Sequence, residues 1–253
     1  MLLIRPVTDS VMLKENRLEK GMPRQNSFNL ILRHGSSDID VPGWFLMKNQ
    51  LCYQTSEYDC GPTTLINAFR YLFEREEIMP EIIKTIYLYT LDEYNSEGEY
   101  GKSGTSRMAM QFLSNWFNHF RQTKNFPVYT EIIMGDNVRI NKDSKIIECL
   151  FQGGAAVARV WLGNTEHYIL LTDVEGDYIC LFDPYEWDKP VDQNNIIKVK
   201  DCPCRMNRKV KMDLMNGATE GYYTLGVPEK REIMLLYNVN TRRTPDKSIE
   251  YFI

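Results

Sequence analysis

Histidine is scarce in this chain, with three among 253 residues, at His34, His119 and His167. Any imidazole chemistry is therefore confined to three places. Zinc-type ligand spacing is missing too. Cys202-Pro203-Cys204 has no second cysteine pair, and no histidine follows it, so neither a metal site nor a cofactor is expected. No apolar run approaches the roughly 20 residues that span a bilayer. The opening MLLIRPVTDSVMLKEN lacks the three-part pattern of a signal peptide. The six cysteines stand at irregular spacings rather than as a disulfide framework. Lysine and arginine are scattered and the formal net charge is -4, which argues against a nucleic-acid partner. These absences together predict a cytoplasmic, reduced protein without a membrane span. Gly101-Lys102-Ser103 has the ending of a phosphate-binding loop, but Ser96 stands where its first glycine belongs and no apolar strand precedes it.

What is present is an ordinary globular composition, 43% hydrophobic and 12% aromatic. Two strands are expected early, around Leu2 to Val7 and Phe28 to Arg33. Leu65, Ile66, Phe69, Leu72 and Phe73 recur at helical spacing after Cys60. Pro80 opens a second helix, PEIIKTIYLYTLDEY, and Thr105 or Ser106 caps a third that runs through Met108, Phe112, Leu113, Trp116 and Phe120. The aromatic stripe Phe112, Trp116, Phe117 and Phe120 is expected to be core, with His119 structural among it. A short helix is expected from Ser144 to Phe151. The period then changes to that of strands, at Ala155 to Leu162, Tyr168 to Val174 and Asp177 to Phe182, with Glu175-Gly176 turning the hairpin. Two more strands are expected at Gly221 to Leu225 and Glu232 to Tyr237. Helices first and antiparallel strands second predict an α+β fold with a cleft between the halves.

Within QTSEYDCGPTTL, Cys60 stands at a helix start rather than inside an apolar run. Free N–H groups and the helix dipole there favour a thiolate, and Gly61-Pro62 suits a tight helix entry. A thiolate needs a base, and His167 opens a strand after the turn GNTE. An imidazole needs an acceptor to fix its tautomer. The return strand of the hairpin ends at Asp183-Pro184, beside the start of the outgoing strand, whereas Asp173 and Asp177 sit near its tip. Gln54, six residues before the cysteine, offers a side-chain donor for an oxyanion, with the Cys60 backbone N–H as the second.

The pattern Gln54, Asp59-Cys60-Gly61, His167, Asp183-Pro184 closely resembles the bacteriocin-processing, double-glycine leader peptidases, which are papain-like cysteine peptidases. The resemblance covers about residues 45 to 190. It implies a papain-like fold with Cys60 as nucleophile, His167 as base, Asp183 as its orienter and Gln54 in the oxyanion hole. The transporter domains that accompany the best-known members have no counterpart here. The expected organisation is one papain-like domain over 1–253. Within it, 1–45 is an N-terminal extension, 46–190 the catalytic core, and 191–253 the strands that complete the sheet.

Each residue also has a plainer reading. Cys60 alone would be a buried structural thiol, as Cys52, Cys149 and Cys180 are taken to be. His167 alone would be a strand-end histidine, Asp183 the start of an Asp-Pro turn, and Gln54 a turn cap. Their order along the chain favours catalysis. The expected activity is hydrolysis of a peptide or small amide through a Cys60 thioester. The alternatives are acyl transfer to an amine from the same thioester, or a binding protein on the same fold.

Overall fold

The computed structural model describes residues 29–34, 37–42, 49–187 and 194–244. They belong to two compact units, Met1–Lys48 and Asn49–Ile253. In the first, β1 (Asn29–His34) and β2 (Ser37–Pro42) form an antiparallel hairpin in the register Asn29 to Pro42. The first of these matches the strand expected from Phe28 to Arg33. The strand expected at Leu2 to Val7 lies outside the described residues.

The second unit opens with three helices. α1 (Cys60–Leu72) is buried at 11 positions. Thr63, Thr64 and Ile66 are β-branched and weak helix formers, so burial rather than propensity holds it. Leu65 and Phe69 on α1 pack with Tyr168 and Leu170 of the sheet. α2 (Pro80–Tyr89) begins on its proline as expected but stops five residues before Tyr94. There the Thr90 hydroxyl donates to the Ile86 carbonyl and Leu91 takes a left-handed φ of 57°, which ends the helical path. α3 (Arg107–Lys124) is capped by Ser106 rather than Thr105, with the Ala109 N–H donating to Ser106 Oγ at 3.1 Å. Phe117 and Phe120 face the core as expected, but Phe112 is 43% exposed and His119 is exposed. Leu113 is the cause: it takes the buried position one turn before Phe117, which turns Phe112 outward.

An eight-stranded, wholly antiparallel sheet follows. Its strands are β3 (Val128–Met134), β4 (Ala155–Gly163), β5 (Thr165–Glu175), β6 (Tyr178–Phe182), β7 (Ile196–Lys198), β8 (Arg208–Lys211), β9 (Gly221–Thr224) and β10 (Glu232–Asn238). The order is β3-β10-β4-β5-β6-β8-β7, with β9 also paired to β4. α1 to α3 cover one face; α4 (Lys145–Phe151) packs Ile146, Ile147 and Leu150 against the other. The α+β architecture expected from the sequence, helices packed on an antiparallel sheet, is the one observed. Among the described residues no helix is long and apolar enough to cross a membrane.

One irregularity positions the site. From the hairpin tip, β5 and β6 pair Glu175 with Tyr178 and Asp173 with Cys180, but then Leu171 with Leu181 and Leu170 with Phe182. Thr172 is therefore an extra residue, a bulge. Since one residue of slip exchanges the faces of a strand, the bulge puts Asp183 on the same face as Ile169 and His167. An unbulged hairpin would have turned it to the opposite face.

Candidate active site

Cys60 is the first residue of α1 and only 7% exposed. It lines a cleft of about 610 Å³, bounded by residues 103–108, where a loop enters α3, and by residues of β4 and β5. Three contacts fix the helix start. One turn on, Thr64 Oγ1 donates to the carbonyl of Tyr168, the residue after His167, at 3.0 Å. Asn67 clamps both backbone groups of Cys52, at 2.8 Å each. Gly61 lies so close to Thr105 that a Cβ there would meet Thr105 Oγ1 at 2.4 Å, so only glycine fits between Cys60 and the cleft wall.

The polar turn before the cysteine is wound around Asp59. Its carboxylate accepts from the N–H and hydroxyl groups of both Thr55 and Ser56, at 2.9 to 3.1 Å. Burial alone would push this carboxyl up, but those four donors carry it below its usual value. Occupied in this way, Asp59 makes no side-chain cap on α1, and the N–H groups at the helix start are not taken by it.

His167 and Asp183 are buried, 6% and 0% exposed. His167 Nε2 donates to Asp183 Oδ1 at 2.7 Å, and the Cys60 sulfur is near enough to the same imidazole to favour its charged form. With Nε2 engaged by the carboxylate, Nδ1 is the nitrogen left for the sulfur. Burial would push the imidazole down; the charge and hydrogen bond of Asp183, then the contact with Cys60, push it up to about 10. Asp183 is held on every side. Oδ1 also accepts the Tyr185 N–H at 2.8 Å, and Oδ2 accepts the Tyr223 hydroxyl at 2.6 Å and the Trp187 indole N–H at 3.1 Å. Asn207 brackets its backbone, accepting from Asp183 N–H and donating to Asp183 C=O. Burial raises this carboxyl, yet His167 and then the donors around it bring it below the ordinary value.

Three of the four residues expected from the sequence are thus brought together. Gln54 is tethered to them through its backbone, whose N–H donates to the Pro184 carbonyl at 2.8 Å. Its side-chain amide turns to the Ser56 carbonyl at 2.8 Å rather than to the sulfur. Tyr223 and Trp187, which meet Asp183, carry no sequence signal of that role. Cys149 and Cys180 are buried thiols pushed up to about 12, in both cases first by burial, in line with structural packing.

The cleft walls carry both signs of charge. Arg159 pairs with Glu166 at 2.6 Å, and Arg107 lies 3.6 Å from the buried Glu232. Burial raises the carboxyl of Glu232, offset by Arg107 and Arg159. Such a surface suits a polar, peptide-like chain better than a wholly apolar ligand.

No family model matches the chain, and no curated protein matches it. Among solved structures it is similar to the peptidase domain of Streptococcus ComA, a bi-functional ABC transporter involved in a quorum-sensing pathway. The identity is 14%, over 74% of this chain and 97% of that one, with a TM-score of 0.37.

Proposed function

We propose that this protein is a cysteine peptidase or amidohydrolase of papain-like type that acts on a peptide or small amide. The observation that carries the reading is a single imidazole shared by a thiol at a helix start and a buried carboxylate, beside a cleft. In the proposed cycle, the Cys60 thiolate attacks the carbonyl carbon and the imidazolium of His167 protonates the departing amine as the C–N bond breaks. Water then attacks the thioester with His167 taking its proton, which releases the acid and restores the thiolate and imidazolium. Asp183 keeps the imidazole in one orientation throughout. The oxyanion is met by the Cys60 backbone N–H and by the second amide hydrogen of Gln54, once that side chain turns toward the cleft. We assign the protein to the cytoplasm, with no nucleic-acid partner.

Incubating the purified protein with cell lysate under acid quench should leave an acyl adduct on Cys60, identified by mass spectrometry. Labelling is expected to vanish in Cys60→Ala. Unchanged labelling in that variant would move the nucleophile elsewhere. Added primary amines divide the outcomes further: an amide product formed in place of free acid would make the enzyme an acyltransferase.

A further inference from the structure

The sequence resemblance ends near residue 190, yet Asp183 is gripped from beyond that point. β9 pairs Thr224 with Trp161 and Tyr222 with Leu162, so Tyr223 is the extra residue of a bulge. Its φ is +65°, in the left-handed region where glycine is at home and a bulky side chain is not. Bulges re-aim side chains, and this one drives a tyrosine with no exposed surface into the layer that holds Asp183. There its hydroxyl donates to Asp183 Oδ2 at 2.6 Å, next to the Trp187 indole N–H at 3.1 Å. The two rings lie 6.2 Å apart, and Tyr222 stacks on Trp187 at 5.1 Å. The half-buried Tyr71, by comparison, donates to a backbone carbonyl, that of Thr172, at 2.9 Å. Tyr223 instead meets the one carboxylate that faces His167.

We propose that Tyr223, with Trp187 as the second donor, is a positioning residue for the reaction. By occupying Oδ2, the pair keeps Asp183 ionised and keeps Oδ1 turned to His167, and it acts on Cys60 only through that imidazole. This rests on the proposed thiol mechanism. Among the described residues, the titratable and charged groups around the carboxylate are His167 from β5, Tyr223 from β9 and the Arg208 guanidinium from β8, which lies over Trp187 at 5.8 Å. Cys60 from α1 joins them through His167. Burial opposes the charge on Asp183; His167, Tyr223 and the Tyr185 N–H favour it.

An anion that loses a donor is easier to protonate. Once Asp183 is protonated, the imidazolium loses its countercharge, and the thiolate loses the imidazolium. The test is the pH dependence of Cys60 alkylation by iodoacetamide, with the adduct quantified at Cys60 by peptide mapping. Wild-type Cys60 should be alkylated faster than the buried Cys149, at a rate that falls along an acid limb. In Tyr223→Phe the acid limb should move to higher pH by about one unit, so that the rate on that limb falls about tenfold. Tyr71→Phe, which loses a half-buried hydroxyl bonded to the Thr172 carbonyl, should leave the limb in place; an equal shift there would reduce Tyr223 to a packing role. Superimposable limbs in wild type and Tyr223→Phe overturn the proposal and leave the thiol mechanism intact. A wild-type Cys60 that is alkylated no faster than the buried Cys149 overturns both. If circular dichroism shows Tyr223→Phe unfolded, Trp187→Phe carries the same expectation, and an unshifted limb in it is equally fatal.

Discussion

His167 is a buried imidazole that burial should have kept neutral, yet Asp183 and Cys60 together hold its proton up to about 10. The proton bears on stability as well as on catalysis. Its folded value lies above the ordinary 6.5, so its contribution to stability is full below about 6.5 and is lost as pH rises through about 10. Across the neutral range the imidazole is charged, the form that can protonate a leaving amine. Imidazole NMR on the histidine-labelled protein should therefore show the His167 ring titrating near 10. In Asp183→Asn the same ring should titrate at least about one pH unit lower, since the largest favourable charge is gone. A wild-type ring that loses its proton near 6.5 would mean that Asp183 does not hold it, and the proposed acid would be missing at neutral pH.

At the scale of elements, the distance between Cys60 and His167 is set by α1 against β5. Among the described residues, the hydrogen bond that ties α1 to the strand right beside His167 is Thr64 to the Tyr168 carbonyl. Thr64→Val keeps the shape and removes the donor. Leaving a buried carbonyl unpaired should cost about 1–3 kcal/mol of stability in a denaturant titration, and acylation of Cys60 should slow while the fold persists. Stability within about 0.5 kcal/mol of wild type would show that packing alone holds α1 there. These two elements were the most legible in the sequence, because α1 has a strong helical period and β5 a long apolar run. The link between His167 and Asp183 was legible only in part. Chain order brings the two together at the open end of a hairpin, but the Thr172 bulge that turns Asp183 to the same face has no marker such as glycine. β3 and β8 went unseen for a different reason. Thr130 and Glu131 break the apolar pattern of β3, and lysine and arginine dominate β8, because both gain their order from neighbouring strands rather than from their own residues. Tyr223 is invisible for the same reason: its role depends on a backbone conformation that tyrosine does not advertise.

Across the second unit, the order of strands in the sheet departs from their order in the chain. β10, the last strand, sits between β3 and β4, and every one of its residues is buried. Met234 and Leu236 enter the core shared with α1, while Ile233, Leu235 and Tyr237 enter the core on the opposite face. One strand thus closes both cores and joins the edge strand β3 to the strand that pairs with β5. At about 1.5–3 kcal/mol for each buried apolar side chain, these five residues contribute on the order of 10 kcal/mol, comparable with the whole net stability of a domain. Ending the chain after residue 190 removes β10 along with β7, β8 and β9, although Cys60, His167, Asp183 and Gln54 all remain. Such a chain is expected to lack a native fold: no cooperative thermal transition, lost near-ultraviolet dichroism, and an exposed apolar surface that binds a hydrophobic dye. A cooperative transition with a reactive Cys60 in the shortened protein would show that the site needs neither β10 nor the Tyr223 hydroxyl, and would return the whole of catalysis to the stretch that carries the motifs.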